Sequence, residues 1–93
     1  MSRAKARHIL VEDKDACEAL KQSIENGEDF AAAAAKHSKC PSGQSGGDLG
    51  EFGKGQMVPE FEQVVFSDEV GKVHGPVQTQ FGYHLIEVTE RTD

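Results

Sequence analysis

A glycine-rich stretch in the middle of the chain limits the fold more than any other feature. Six of the ten glycines lie between Gly43 and Gly55, which excludes one long regular element there and favours loops that pass close to other backbone. Within the stretch, residues 48–52 alternate polar and apolar side chains as a short half-buried strand does. Pro59 then begins a run to Phe66 that predicts a helix, because proline is favoured in the first helical turn.

Three large apolar side chains occur at intervals along this stretch. Met57 and Phe61 are four residues apart, a spacing that places both on one face if Met57 lies near the helical frame. A thioether and an aromatic ring can line one wall of a pocket, and Leu49 could form its floor. We interpret the stretch as an apolar pocket, and we expect Phe61→Ala to weaken binding while leaving the fold largely intact.

Length and charge set the outer limits on fold and partners. The 93 residues, 1–93, predict a single small domain. Ten Lys and Arg against 16 Asp and Glu give a net charge of −6, which disfavours binding to nucleic acid. No apolar run approaches the roughly 20 residues that span a bilayer, and residues 1–5 lack the apolar core of a secretory signal. We therefore expect a cytoplasmic monomer that binds neither nucleic acid nor membrane.

The two cysteines, Cys17 and Cys40, form neither a C-x-x-C pair nor a dense framework. This usage is typical of free thiols in a reducing compartment, so we expect no disulfide. His37 and Cys40 have a metal-like spacing of three, but no further ligand cluster completes a tetrahedral site. We expect no metal and no cofactor.

Three further segments have strand patterns, and two of them each carry one histidine on an apolar face. Residues 4–11 and 83–90 are predicted strands, and residues 76–79 a short one. His8 and His84 each share the parity of neighbouring apolar residues. One inward histidine is more often a hydrogen-bonded core residue than a catalytic one, but the matching positions of the two favour a paired site.

The helices are predicted from capping residues and periodicity. Asp13 caps a helix over 14–26, and Asp29 caps an alanine-rich helix over 30–37. The polar connection around His74 is predicted to face solvent.

Five segments along the chain carry a family pattern: HILV at 8–11, SKCPS at 38–42, GGDLGEF at 46–52, GQMVPEF at 55–61 and FGYH at 81–84. In this order and spacing they resemble the parvulin family of peptidyl-prolyl cis–trans isomerases, and the match covers nearly the whole chain. The resemblance implies an α+β fold, a four-stranded antiparallel sheet surrounded by helices, of the FKBP-like superfold.

The resemblance also implies two sets of site residues. One set would hold the substrate proline: Leu49, Met57, Val58, Phe61 and Phe81. The other would form a hydrogen-bonded polar set beneath the twisting bond: His8, Cys40, Thr79 and His84. Phe81 departs from the phosphate-directed branch, which has a small hydroxyl residue there.

The implied function is rotation about X-Pro peptide bonds in unfolded or extended protein segments, which would assist folding. The acidic segment 11–15 disfavours a phosphorylated substrate, because a phosphate needs Arg or Lys donors. A chaperone-like module that binds proline-containing segments with little turnover is the alternative. A thiol enzyme with Cys40 as nucleophile is a third hypothesis, and no triad partner supports it.

Overall fold

An antiparallel sheet of four strands forms the centre of the protein, a computed structural model that describes residues 2–92. In the order β2-β1-β4-β3, the strands are β1 (Arg3–Val11), β2 (Asp48–Gly53), β3 (Val73–Thr79) and β4 (Gly82–Thr92). The helices are α1 (Lys14–Glu25), α2 (Phe30–His37) and α3 (Pro59–Ser67), with a short 3-10 helix over Pro41–Ser45. The predicted fold class is confirmed. None of the helices in residues 2–92 has the length and apolar content to cross a bilayer.

Apolar side chains cover both faces of the sheet. On one face, residues of α3 and of the sheet together form a cluster: Ala4, Ala6, Phe52, Phe61, Val65, Ile86 and Val88. On the other face, residues of α1, α2 and the sheet form a second cluster: Ile9, Val11, Cys17, Phe30, Ala33, Ala34 and Leu85. Because successive residues of a strand point to opposite faces, burial of both faces explains why the end of β1 is an unbroken apolar run.

The helices begin where their capping residues predict. The side chain of Asp13 accepts a hydrogen bond from the backbone N–H of Ala16, and that of Asp29 accepts one from Ala32. Each bond satisfies an amide that the first helical turn leaves without a partner.

The structure differs from the sequence prediction in β3. This strand begins at Val73, not at residue 76, and contains His74. The side chain of His74 is only 20% exposed and its Nε2 donates to the Glu69 carbonyl over 2.7 Å, so the expectation that His74 faces solvent is wrong. The missing information was tertiary, because β4 supplies the pairing partners of Val73 and His74.

Candidate active site

The two strand histidines meet on the face of the sheet that α3 covers. In the β1–β4 ladder, Leu10 lies opposite His84, and Ile86 lies opposite His8, so the histidines are diagonal neighbours on one face. Their Nδ1 atoms are 3.0 Å apart and their ring planes differ by 17°. Both are buried, with exposed fractions of 6% and 4%. The structure therefore places the two predicted histidines side by side.

Hydroxyl groups extend this pair at both ends. His84 Nε2 lies 2.7 Å from Thr79 Oγ1, and His8 Nε2 lies 3.2 Å from Ser42 Oγ. Ser42 Oγ is in turn 3.2 Å from Cys40 Sγ. The predicted polar set is thus brought together, but Cys40 is joined to the histidines through Ser42, which the sequence analysis missed.

Burial keeps both histidines neutral. Burial, together with the neighbouring His84, lowers the pKa of His8 from 6.5 to about 4. Burial also lowers the pKa of His84. Because a contact between two Nδ1 atoms needs one donor and one acceptor, two cationic rings could not make it. At neutral pH the site therefore presents uncharged hydrogen-bonding groups.

An apolar cavity of about 420 Å³ opens over the polar set, within the usual size range of small-ligand sites. It is lined by all five predicted substrate-binding residues, Leu49, Met57, Val58, Phe61 and Phe81, and by His8, Cys40 and His84. Thr79 does not line the cavity and lies behind His84, to which it is hydrogen-bonded. The lining residues that the sequence analysis missed are Leu10, Lys39, Pro41 and Gln56.

Phe61 joins the cavity to the core. Its ring meets those of His8 and His84 edge to face, with centroid distances of 5.7 and 6.0 Å. It also packs against Phe52 at 6.2 Å, and only 3% of the residue is exposed. The ring therefore holds both imidazoles in place as well as lining the cavity.

The loop that carries Cys40 is fastened to β1. Ser38 Oγ accepts hydrogen bonds from the backbone N–H groups of Leu10 (3.1 Å) and Cys40 (3.3 Å). The N–H of Lys39 donates to the Leu10 carbonyl over 2.7 Å. These bonds fix the backbone on which the Cys40 thiol is placed.

A glycine holds the other end of the 3-10 helix against β1. The N–H of His8 donates to the Gly47 carbonyl over 2.9 Å. A Cβ atom at Gly47 would lie 2.3 Å from the His8 carbonyl oxygen, and the residue has φ of 85°. Only glycine permits this approach, so Gly47 helps to set the position of His8.

The two cysteines have different surroundings. Cys17 is fully buried in α1, and burial raises the pKa of its thiol to about 11, which is typical of an inert core thiol. Cys40 is half-buried at the cavity, and both are free. Within residues 2–92, no group of three or more His, Cys, Asp or Glu side chains is arranged to hold a metal ion.

Fold and site together define a class of protein: a small α+β domain with an apolar cavity above a neutral histidine pair. Residues 1–92 match the family model described as the PPIC-type PPIase domain. The chain therefore belongs to this family of peptidyl-prolyl isomerases, the parvulins, and the resemblance drawn from the sequence is confirmed.

Curated relatives and solved structures agree with this assignment. The foldase protein PrsA of Exiguobacterium sibiricum is 50% identical over 91 residues, and that of Halalkalibacterium halodurans 49% over 89 residues. These matches cover 96% and 95% of this chain but only 30% and 27% of the relatives. The chain thus spans about a third or less of their length.

Two solved structures show the same architecture. PrsA from Bacillus anthracis superposes with a TM-score of 0.95 at 38% identity, over 99% of this chain and 43% of that one. Pin from the archaeon Cenarcheaum symbiosum superposes with a TM-score of 0.84 at 37% identity, over 95% of this chain and 92% of that one.

Proposed function

We propose that this domain accelerates cis–trans isomerisation of X-Pro peptide bonds in unfolded or extended protein segments, and so assists protein folding. The observation that carries the proposal is the apolar cavity placed over Cys40 and the buried histidine pair. Membership of the parvulin family supports the same activity.

The reaction needs no bond to be broken. An X-Pro bond isomerises in tens to hundreds of seconds without a catalyst, over a barrier near roughly 20 kcal/mol. Isomerisation in about milliseconds would require the barrier to fall by roughly 6–7 kcal/mol. Positioning of the substrate and selective stabilisation of the twisted bond have to provide this decrease in the barrier.

The cavity residues suit this task. Contacts of Leu49, Met57 and Phe61 with the proline ring would hold one side of the bond while the other side rotates. Rotation breaks amide resonance, so electron density shifts to nitrogen and the carbonyl becomes less polar than in the planar amide. A site with mostly apolar walls and fixed dipoles favours that twisted form over the planar form.

A binding module with little turnover is the weaker candidate. Such a module needs only the apolar wall. The neutral histidine pair and its hydroxyl partners lie at the base of the cavity, where a module that only binds has no use for a buried polar row. Similarity to an isomerase family also favours turnover.

We propose further that the substrate is not phosphorylated. Among the described residues that line the cavity, Lys39 is the single lysine or arginine. Glu12, Asp13 and Asp15 follow β1, and like charges there raise the cost of bringing in a phosphate. Phe81 is 61% exposed at the cavity, which favours an apolar residue beside the substrate proline.

Location and oligomeric state are parts of the same proposal. Two free thiols, one in the core and one in the cavity, suit the reducing cytoplasm. A monomer leaves the cavity open to extended chains. Cell fractionation and light scattering test these two points, and a membrane fraction or a stable dimer would contradict them.

The activity is tested with an Ala-Pro tetrapeptide whose isomerisation is followed by fluorescence. We expect the wild-type protein to accelerate the reaction and Met57→Ala to lose most of that acceleration. Val70→Ala is the control, because Val70 is an exposed apolar residue that does not line the cavity. Absence of acceleration by the wild-type protein, or an equal loss in Val70→Ala, would contradict the proposal.

A further inference from the structure

A single row of hydrogen bonds runs beneath the cavity. It starts at the backbone N–H of Phe81, which donates to Thr79 Oγ1 over 3.1 Å. From there it passes through His84, His8 and Ser42 and ends at Cys40. Each histidine bridges two partners with its two ring nitrogens, and each is neutral, so each must donate at one nitrogen and accept at the other.

Thr79 decides the direction of this row. Its oxygen already accepts from Phe81, and among the described residues its one other hydrogen-bond partner is His84 Nε2. Thr79 is buried, so its hydroxyl proton would have no acceptor unless it is donated to His84. His84 then accepts at Nε2 and carries its proton on Nδ1.

The remaining protons follow in order. The Nδ1–H of His84 donates to Nδ1 of His8, and His8 therefore carries its own proton on Nε2. That N–H donates to Ser42 Oγ, and the Ser42 hydroxyl donates to Cys40 Sγ. If the donor and acceptor of every hydrogen bond in the row were exchanged, Ser42 and both histidines would still be satisfied. The hydroxyl proton of the buried Thr79 would then have no acceptor.

We propose that Ser42 is a positioning residue of the isomerase: it ends the row by accepting from His8 Nε2 and donating to Cys40 Sγ. The catalytic role of Ser42 rests on the proposed function, whereas the order of the protons rests on the contacts alone. Ser42 holds the His8 ring in place by accepting the proton that the row leaves on Nε2. It also occupies a lone pair of the Cys40 sulfur, which leaves the thiol proton available to a substrate in the cavity.

The first test reads the tautomers in the wild-type protein. Two-dimensional NMR spectra that correlate ring carbon protons with ring nitrogens at neutral pH should show His84 protonated at Nδ1 and His8 at Nε2. The opposite pair of tautomers would overturn the proposed order. Because no substrate is present, this result stands or falls separately from the isomerase activity.

The second test removes the hydroxyl. In Ser42→Ala we expect kcat to fall about fivefold to tenfold with KM changed less than about twofold, as for the loss of one hydrogen bond. The Nε2 signal of His8 should shift because its hydrogen bond to Ser42 is lost, while the proton stays on Nε2. Ser42→Thr keeps a hydroxyl and should restore both properties.

Ser45→Ala is the matched control, because Ser45 lies in the same 3-10 helix, is exposed and does not line the cavity. It should leave kcat and the His8 signals unchanged. If Ser42→Ala keeps full kcat and an unchanged His8 Nε2 signal, or if Ser45→Ala loses as much kcat, Ser42 has no positioning role. A wild-type protein without isomerase activity would refute the proposed function instead.

Discussion

The Nδ1 atoms of His8 and His84 lie 3.0 Å apart on neighbouring strands, so a single proton must lie between the two rings. A second proton there would leave two N–H donors facing each other in a buried site without an acceptor. The pair therefore ties the stability of the domain, as well as its site, to pH.

We predict that the free energy of unfolding decreases as pH falls from about 6.5 to about 4. Burial lowers the pKa of His8 from 6.5 to about 4, so the unfolded chain binds this proton more tightly than the folded chain does. The stability that neutral His8 provides is complete above pH 6.5 and is lost on the way down to pH 4. The loss from His8 is on the order of 3 kcal/mol.

Urea unfolding at a series of pH values measures this loss. His8→Gln should show a shallower decline between pH 6.5 and 5, whereas His37→Gln, at the exposed end of α2, should follow the wild type. A wild-type unfolding midpoint that stays constant from pH 7 to 4 would rule out a buried neutral pair.

Local sequence signals predicted the elements better than they predicted the contacts of the site. The caps at Asp13 and Asp29 depend on neighbours within one turn, so they could be read from the sequence. The shared face of His8 and His84 followed from strand parity alone. Leu10 has the same parity as His8, and that signal could have identified it as a cavity residue.

Ser42 could not be found in this way. It lies in a 3-10 helix of five residues, which is too short to show a period, and its partners are a strand residue and a cysteine two positions away. Lys39 lines the cavity because the hydrogen bond between Ser38 and Leu10 attaches its loop to β1. Such contacts depend on tertiary packing, which no local pattern carries.

Two aromatic residues of the cavity should respond differently to truncation. Phe81 is 61% exposed, whereas Phe61 is 3% exposed. In Phe81→Ala the free energy of unfolding should change by less than about 0.5 kcal/mol. The same variant should lose about fivefold to tenfold in kcat/KM on a Leu-Pro peptide, because an aromatic contact with substrate is lost.

Phe61→Ala should instead destabilise the fold by about 3–5 kcal/mol. Its ring packs on Phe52 and on both histidines, so the expectation from sequence that the fold stays largely intact does not agree with its burial. Thermal unfolding of the two variants beside peptide kinetics separates the effects. Equal destabilisation of both variants would contradict this division of roles.

Cys40→Ser should keep measurable isomerase activity, within about tenfold of the wild type. The hydroxyl can still accept from Ser42, and rotation about an amide needs no attacking thiolate. Mass spectrometry of the wild-type protein with peptide should show no covalent adduct. A trapped adduct, or a folded Cys40→Ser protein without any turnover, would require a nucleophilic role.

A matched peptide series tests the substrate proposal. We expect phosphoserine-Pro to have a lower kcat/KM than Ala-Pro and Leu-Pro at low salt, and the difference should narrow as salt screens the acidic side chains. Lys39→Ala should lower kcat/KM further for phosphoserine-Pro than for Ala-Pro. Phosphoserine-Pro as the best substrate at low salt would show that the acidic segment does not exclude phosphate.

Exchange NMR on an Ala-Pro peptide tests the central claim most directly, because one sample reports both binding and isomerisation. With a catalytic amount of the wild-type protein, cis and trans peptide signals should exchange on a timescale of about milliseconds to seconds, instead of the uncatalysed tens to hundreds of seconds. Signals of His8 and His84 should shift at the same time. Binding shifts without any faster exchange would contradict an isomerase and identify a binding module.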